Sequence, residues 1–325
     1  VNFRLARFAA RRLGTGLLVL LIVSIVNFML LAAAPGDAVD AYLAETGGAG
    51  GDAAGLRTAW GLSLGLWPRL CLYLSGLLHF DLGWSVAFDR PVVGLILERL
   101  PNTLLLSGTA LAFAAALGTS MGILAGMRPH GIGDGILRAL SLILSAIPNF
   151  WLGLMLMLLF TLKLAWLPLG GISSLTASEG SLSHVLDVAK HLVLPVSALG
   201  LGYAALYQRL MRAGMVQAAG EDYVRTARAK GLARRRILLR HMARNAILPV
   251  VTMLGLQAGT LLGGSVVIES VFAIPGLGRL AAEAVTRRDA PLLLGIILIS
   301  ALLVILINVL IDLVQSKLDP RVVRS

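Results

Sequence analysis

Cysteine is nearly absent from this chain. Cys71 stands alone among 325 residues, so no internal disulfide can form, and neither a zinc knuckle nor a CxxC redox site is available. Cys71 itself reads as a small apolar filler. Charge is scarce as well: 14% of residues are charged against 57% hydrophobic, and the mean hydropathy is +0.85. These values exclude an ordinary soluble core and place the chain among polytopic membrane proteins. Acids are the rarer sign, 17 against 28 Lys and Arg, which leaves a net charge of +11. In a membrane protein the position of the cations matters more than their sum, because they collect on the cytoplasmic side, so nucleic acid is a poor first explanation of the charge. Catalytic signatures are missing too. His184 and His191 are seven apart, His79, His130 and His241 are scattered, and no HExxH, GxSxG or paired-carboxylate arrangement occurs. No catalytic residue and no metal ligand set is assigned. No Walker A sequence is present, so P-loop ATP hydrolysis does not belong to this chain; nucleotide-driven transport would need another polypeptide as its engine.

What the chain has in quantity is long apolar runs. Arg4, Arg7, Arg11 and Arg12 precede the run 13–34, which is too long for a signal peptide and reads as a retained first span started in the cytoplasm. Further runs at 103–127, 136–162, 192–211, 246–271 and 292–314 give an all-α polytopic membrane protein of about six transmembrane helices, both termini on one side. The charges between runs set the orientation. The segment after the first run carries seven acids, Asp37, Asp40, Glu45, Asp52, Asp81, Asp89 and Glu98, against four arginines, so it lies outside. The segment after the fourth carries ten arginines and lysines from Arg209 to Arg244 against Glu221 and Asp222, so it lies inside; Arg128, Arg138, Lys317, Arg321 and Arg324 agree, which makes both termini cytoplasmic. The expected division is an N-terminal part, 1–100, holding the first span and a long outer segment, and a five-helix core, 101–325, with an inner loop at 212–245. In the outer segment, the glycine-rich stretch 47–51 has no side chains to pack, and Trp60, Trp67, Tyr73 and Trp84 suit either the headgroup level or a docking surface for an outside partner.

Several motifs allow two readings. Gly118, Gly122 and Gly126, and likewise Gly255, Gly259 and Gly263, each repeat at four-residue spacing on one helical face and permit close helix packing, within the subunit or against a related one. Pro148 and Pro195 interrupt backbone pairing inside spans, which is tolerated where a helix is buried or lines a cavity. Asn308 and Asp312 lie one turn apart: a functional intramembrane carboxylate, or an interfacial acid paired with Arg321 or Lys317. Pro275, Gly276 and Gly278 carry turn chemistry, so the outer segment around them is expected to fold back as a hairpin or half-helix, serving as a lid or docking element.

The inner loop 220–251 is the most informative stretch. Tyr223, Val224, Ala227 and Leu232 interleave with Arg225, Arg228 and Lys230, as for a short helix along the membrane face. Glu221 and Asp222 sit at its first turn, complementing the helix dipole, and Gly231 offers a stop. Anionic lipid is one partner for such a loop; the glycine punctuation and the close join to the next span favour docking to a protein.

These residues resemble the cytoplasmic signature of the dipeptide/oligopeptide/nickel permeases of bacterial ABC importers. The likeness takes in 220–232, Arg240-His241, Arg244-Asn245-Ala246 and Leu248-Pro249-Val250-Val251. It continues in order through Gly263-Gly264, Glu269, Phe272, Pro275 to Arg279, Arg288-Asp289, Asn308, Asp312 and Asp319-Pro320-Arg321, with Asp81-Leu82-Gly83 and Pro148 to Trp151 in the first half. The resemblance implies a type I ABC importer-like transmembrane domain in the bacterial cytoplasmic (inner) membrane, among lipid. It implies as partners a second homologous permease, two ABC ATPase subunits and an extracytoplasmic solute-binding protein, with ATP and Mg bound by the ATPases and no cofactor on this chain. Glu221, Asp222, Tyr223, Val224, Arg225, Thr226, Ala227, Arg228, Ala229, Lys230 and Gly231 would form the helix that enters the ATPase. Glu269, Phe272, Pro275, Gly276, Gly278 and Asp289 would form an extracytoplasmic gate or docking element. Peptides are the expected solute, with nickel or a metal chelate second. Arg225 occupies a place that is acidic in the general ABC-importer pattern, and Ile274 and Ala290 replace frequent aromatics. A secondary transporter or channel is the competing class, and it would need mid-membrane ionisable groups for ion coupling, which are nearly absent here. An intramembrane enzyme would need a clustered nucleophile or metal set.

Overall fold

The computed structural model of the chain describes residues 2–34, 36–45, 52–59, 62–174 and 181–318. The stretch 47–51, Trp60 and the tail with Asp319, Pro320, Arg321 and Arg324 lie outside the described residues, as do the side chains of Asp312 and Lys317 and the surroundings of Gly263.

In chain order the helices are α1 (Asn2–Ala33), α2 (Ala38–Glu45), α3 (Ala53–Ala59), α4 (Leu66–Leu78), α5 (Val92–Met127), α6 (Ile132–Ala146) and α7 (Asn149–Leu156), which continues as a π-helical stretch, Met157–Lys163. Then come α8 (Leu182–Ala219), α9 (Asp222–Ala229), α10 (Arg234–Arg236) with a second π-helical stretch, Ile237–Ala243, then α11 (Arg244–Ala246), α12 (Leu248–Val271), α13 (Leu277–Thr286) and α14 (Ala290–Leu318). A short antiparallel pair, β1 (Trp84–Ser85) and β2 (Arg90–Pro91), sets Trp84 opposite Pro91 and Ser85 opposite Arg90. Among the described residues four helices, α1, α5, α8 and α14, include stretches long and apolar enough to cross a membrane; the number is six if two bent pairs each make one span.

The bent pairs refine the apolar runs. The run 136–162 is two helices, α6 and α7, meeting at 101°. Pro148 lacks an N–H and disfavours helical backbone at the residue before it, so Ile147 is extended (φ −80, ψ 127) and α7 starts afresh at Asn149. Pro195 behaves differently: it is buried within α8, and the helix runs on through it. Helix α5 begins well before the run at 103, passing Glu98, Arg99 and Pro101.

The chain divides into two compact units, Val1–Asn102 with Pro275–Val309, and Thr103–Ile274 with Leu310–Ser325. In the first, α4 lies along α1, where Phe28 stacks on Tyr73 at 5.5 Å. Its main core joins Val92, Leu95 and Ile96 of α5 to Leu277, Leu280 and Ala284 of α13 and to Leu292 and Ile296 of α14. A Cβ at Gly295 would fall 2.5 Å from Val92 Cγ1, so glycine is what permits this approach. Trp67 and Trp84 stay exposed.

In the second unit α8 is the hub, packed by α6, α7, α11, α12 and the π-helical stretch after α10. In lipid, apolar burial gives little drive, so close backbone approach matters more. The α5 stripe supplies it. A Cβ at Gly122 would lie 2.8 Å from the Gln208 carbonyl oxygen, and Gly118 and Gly126 meet Ala204 with Tyr207 and Met215 in the same way, so this face is covered by α8 of the same chain. Gly255 rests against Ile311 of α14, with Gly259 one turn further along α12.

Candidate functional site

Helix α9 is built to be held on one side only. Val224 and Ala227, three apart, are buried with Met215 and Ala218 of α8 and with Ile237, Leu238 and Met242. The remaining residues of 221–231, Glu221, Asp222, Tyr223, Arg225, Thr226, Arg228, Ala229, Lys230 and Gly231, are exposed. The π-helical stretch serves this packing: a helix widened to i→i+5 pairing brings Ile237, Leu238 and Met242 onto one buried face while Leu239 and Arg240 face out. Glu221 takes the extended N-cap conformation (φ −73, ψ 147), and its carbonyl accepts from Val224 N–H and Arg225 N–H. The far end closes as a Schellman turn. Leu232 N–H donates to Ala227 O at 3.2 Å and Gly231 N–H to Arg228 O at 2.9 Å, with Gly231 at φ +72, a conformation that glycine adopts without Cβ strain. Leu232 then turns back onto the same apolar cluster.

The support under α9 includes residues that motif reading passes over. Asp134, the lone acid of the inner turn 128–138, is buried and takes a bidentate pair from Arg212: Nη2 to Oδ2 is 2.7 Å, and Nε contacts Oδ1. Asp134 also accepts from His130 N–H at 2.9 Å, with Arg138 Nε at 3.6 Å. This fixes the turn before α6 to the lower part of α8. One turn further along the same interface Ser141 Oγ donates to Gln208 Oε1 at 2.9 Å. The sequence signal for the pair was a single carboxylate in an otherwise basic inner turn.

The outer residues divide between the two units. In the second, Glu269 is fully buried and accepts from Thr103 Oγ1 at 2.8 Å and Ser265 Oγ at 3.1 Å, and the Phe272 ring packs over Gly153 and Ala198. The Phe272 carbonyl accepts from Gly171 N–H at 2.8 Å, which ties the 165–174 loop to the end of α12. In the first, Asn102 Nδ2 donates to Pro275 O at 2.8 Å, Gly276 is the extended N-cap of α13, and Gly278 is buried in that helix. Asp289 is buried; it accepts from Ser85 Oγ at 2.6 Å and Ala87 N–H at 3.0 Å, and caps α14 through Leu292 N–H at 3.1 Å. The outer turn is therefore a half-helix, α13, and Asp289 at its end pins the β1–β2 hairpin to the start of α14.

The fold and this site define a multi-span helical protein that presents a basic, one-sided amphipathic helix between two of its spans. The comparisons with known proteins name the family. Residues 118–324 match the family model of the binding-protein-dependent transport system inner membrane component. The chain is 36% identical over 97% of its length to 98% of the dipeptide transport system permease protein DppB of Escherichia coli strain K12. It is 34% identical over 98% of its length to 99% of the oligopeptide transport system permease protein AppB of Bacillus subtilis strain 168. Among solved structures, the inward facing MetNI methionine ABC transporter matches 70% of this chain and 97% of its own, with TM-score 0.56 and 18% identity. An amino acid ABC transporter crystallised with histidines matches 69% and 94%, with TM-score 0.52 and 19% identity. These two likenesses carry the fold, that of type I ABC importer transmembrane domains. The chain belongs to the family of binding-protein-dependent inner membrane components: it is a permease subunit of an ABC importer.

Proposed function

We propose that this permease forms half of a passage for peptides, with a second homologous permease supplying the other half. The two close relatives named for dipeptide and oligopeptide transport support the solute class. An extracytoplasmic solute-binding protein delivers the peptide, and two ABC ATPase subunits bind ATP and Mg and perform the hydrolysis. The termini and the 212–245 loop face the cytoplasm, by the distribution of arginine. Residues 1–100 form an N-terminal addition to a transport core at 101–325, and the outer turn carrying Pro275, Gly276 and Gly278 meets the binding protein.

One observation carries the coupling role of 221–231. Helix α9 buries only Val224 and Ala227 and, among the described residues, its charged face has no ion-pair partner beyond the loose Arg225–Asp222 pair at 3.6 Å, while both its ends are fixed. A helix held rigidly at its ends with an open charged face transmits movement of whatever seats on that face to α8 and to the span beyond Ala246, in a rigid-body manner. The test is Gly231→Val in the assembled complex, reconstituted in vesicles with the binding protein. ATP hydrolysis should lose its dependence on loaded binding protein, and uptake should stop although the subunits remain together. Ordinary ATP-dependent uptake by that variant would sink the coupling role.

A further inference from the structure

Helix α4 has one packed face and one bare face. Leu70, Tyr73 and Leu74 share an apolar cluster with Phe28, Met29, Leu31 and Ala32 of α1 and Leu294 of α14. The bare face carries Trp67, Cys71, Leu72 and Leu78, and the turn after it sets out Phe80. Leu78 is 81% exposed and Phe80 89%. Phe80 also has φ +58, an outlier for a bulky residue. At that exposure, packing among the described residues does not offset the strain.

The packed face fixes the depth of α4. The apolar span of α1 is Gly14–Ala33, and Phe28, which stacks on Tyr73, lies roughly 8 Å before its end. Helix α4 is therefore level with the last turns of a lipid-embedded helix, rather than above them. Its 13 residues make roughly 20 Å, too short to cross the hydrocarbon itself.

The chemistry of α4 suits that level. Residues 66–78 include no acid and one cation, Arg69. Ser75, the polar residue on the bare face, donates its hydroxyl to Leu72 O at 2.9 Å and so shows no free donor. The last turn is closed in the same way: Gly76 O accepts from His79 N–H and Asp81 N–H, both at 2.9 Å, and Leu77 O from Phe80 N–H at 3.2 Å. Pro68 removes one amide that the first turn would have left without a helical partner. Such economy is what hydrocarbon demands of a backbone. Helices α2 and α3 of the same outer segment differ, since Arg57 there bridges Asp37 and Asp40 in positions partly open to water.

We propose that α4 lies in the outer leaflet of the membrane, with Trp67, Cys71, Leu72, Leu78 and Phe80 against lipid, and holds the outer end of α1 at a fixed depth. A soluble protein docks above the headgroups, whereas this face continues the lipid-facing surface of α1, where Leu17, Leu18, Leu21, Ile22, Val26 and Leu30 are exposed. Trp67 at the start of the helix suits the boundary between headgroup and acyl chain. The outer side rests on the arginine distribution behind the importer reading; the lipid contact does not depend on the solute.

Cys71 is the chain's only cysteine and lies on the bare face, so it takes a nitroxide without any substitution. The experiment uses the assembled importer, its other subunits made free of cysteine, in vesicles of phosphatidylethanolamine and phosphatidylglycerol. Collisions of the label at 71 with oxygen, which partitions into lipid, should exceed those with a water-soluble nickel chelate. In a Cys71→Ser background, a label on Ala54→Cys, exposed on α3, should show the reverse order. A label at 71 that meets the chelate as freely as one at 54 overturns the lipid contact. So does a label at 71 that meets neither reagent, which would give the face to another subunit. A membrane-impermeant maleimide added to spheroplasts should modify Ala54→Cys; if it does not, the segment is inside, and the orientation behind the importer reading falls together with the outer leaflet. Failure at 71 alone leaves the importer reading standing.

Discussion

The protein buries two aspartates beside helix starts, and it treats them differently. Asp134, in the inner turn before α6, is matched by a cation: Arg212 binds it through two nitrogens and Arg138 lies 3.6 Å away. Asp289, at the start of α14, is held by neutral donors, the Ser85 hydroxyl and the Ala87 and Leu292 amides. A carboxylate that already has a charge partner makes that partner dependent on it, whereas one fed by neutral dipoles can be replaced by any acceptor of the same shape. The inner device is thus a two-body lock, and the outer one is a cap that folds a hairpin onto a helix start.

Removing one member breaks the lock most severely. Asp134→Ala strands Arg212 in a half-buried site and should cost about 3–5 kcal/mol, visible as a large fall in the thermal unfolding midpoint of the purified complex in detergent. Arg212→Met on top of it should recover most of the loss, since a well-packed apolar pair often equals a buried ion pair. A double variant as unstable as the sum of the singles would show that Asp134 acts chiefly through His130 N–H, and the contrast with Asp289 would collapse.

The cap should yield less and respond to shape. Asp289→Ala leaves three donors without an acceptor and should cost about 1–3 kcal/mol, with new protease cleavage in 84–91. Asp289→Asn keeps an acceptor oxygen and should lose only part of that. If Asn is as harmful as Ala, charge is essential there too, and the two aspartates work alike. A smaller effect comes from the end of α9, where a left-handed glycine closes the helix. Gly231→Ala forces a Cβ into a left-handed conformation at about 1–2 kcal/mol. Faster amide exchange at Gly231 and Leu232, with Val224 still protected, is the expected signature.

The sequence exposed the spans because about twenty apolar residues are needed to cross the hydrocarbon, and it exposed α9 because Val224, Ala227 and Gly231 carry period and stop together. Hydrophobicity has no direction, however, so the run 136–162 gave no sign of a 101° turn, and Pro148 looked the same as Pro195, which the helix passes without a break. Charge also shortened α5: Glu98 and Arg99 end an apolar run but not a helix. The locks were hidden for another reason. Asp134 with Arg212, and Asp289 with Ser85, are pairs 78 and 204 residues apart, and nothing local in either partner names the other. Asp289 was legible as a notable residue of the outer turn, but its burial was not.

A further group of carboxylates, paired with an arginine, lies in the outer segment and calibrates the two buried aspartates. Arg57 bridges Asp37 and Asp40, with Nε and Nη2 each 2.7 Å from a carboxylate oxygen, but all three side chains are partly open to water. Partial burial acts to raise the Asp37 carboxyl. The Arg57 hydrogen bond, the Asp40 backbone N–H and the guanidinium charge outweigh it and hold the group below the usual carboxylate range. Since the folded value is the lower one, the stabilisation is fully present above the unfolded value of about 4, and it disappears as pH falls through the folded value. Screening by water makes this the smallest of the four effects. Asp37→Asn should therefore lower the unfolding midpoint slightly at pH 7, and the gap to wild type should close as the pH is taken below about 4. A gap that persists unchanged into acid would assign the loss to the Asp37–Asp40 backbone contacts rather than to the charge. Those contacts hold Asp40 N–H to Asp37 Oδ1 at 3.0 Å and Asp37 N–H to Asp40 Oδ2 at 2.9 Å, and they alone would then order the start of α2.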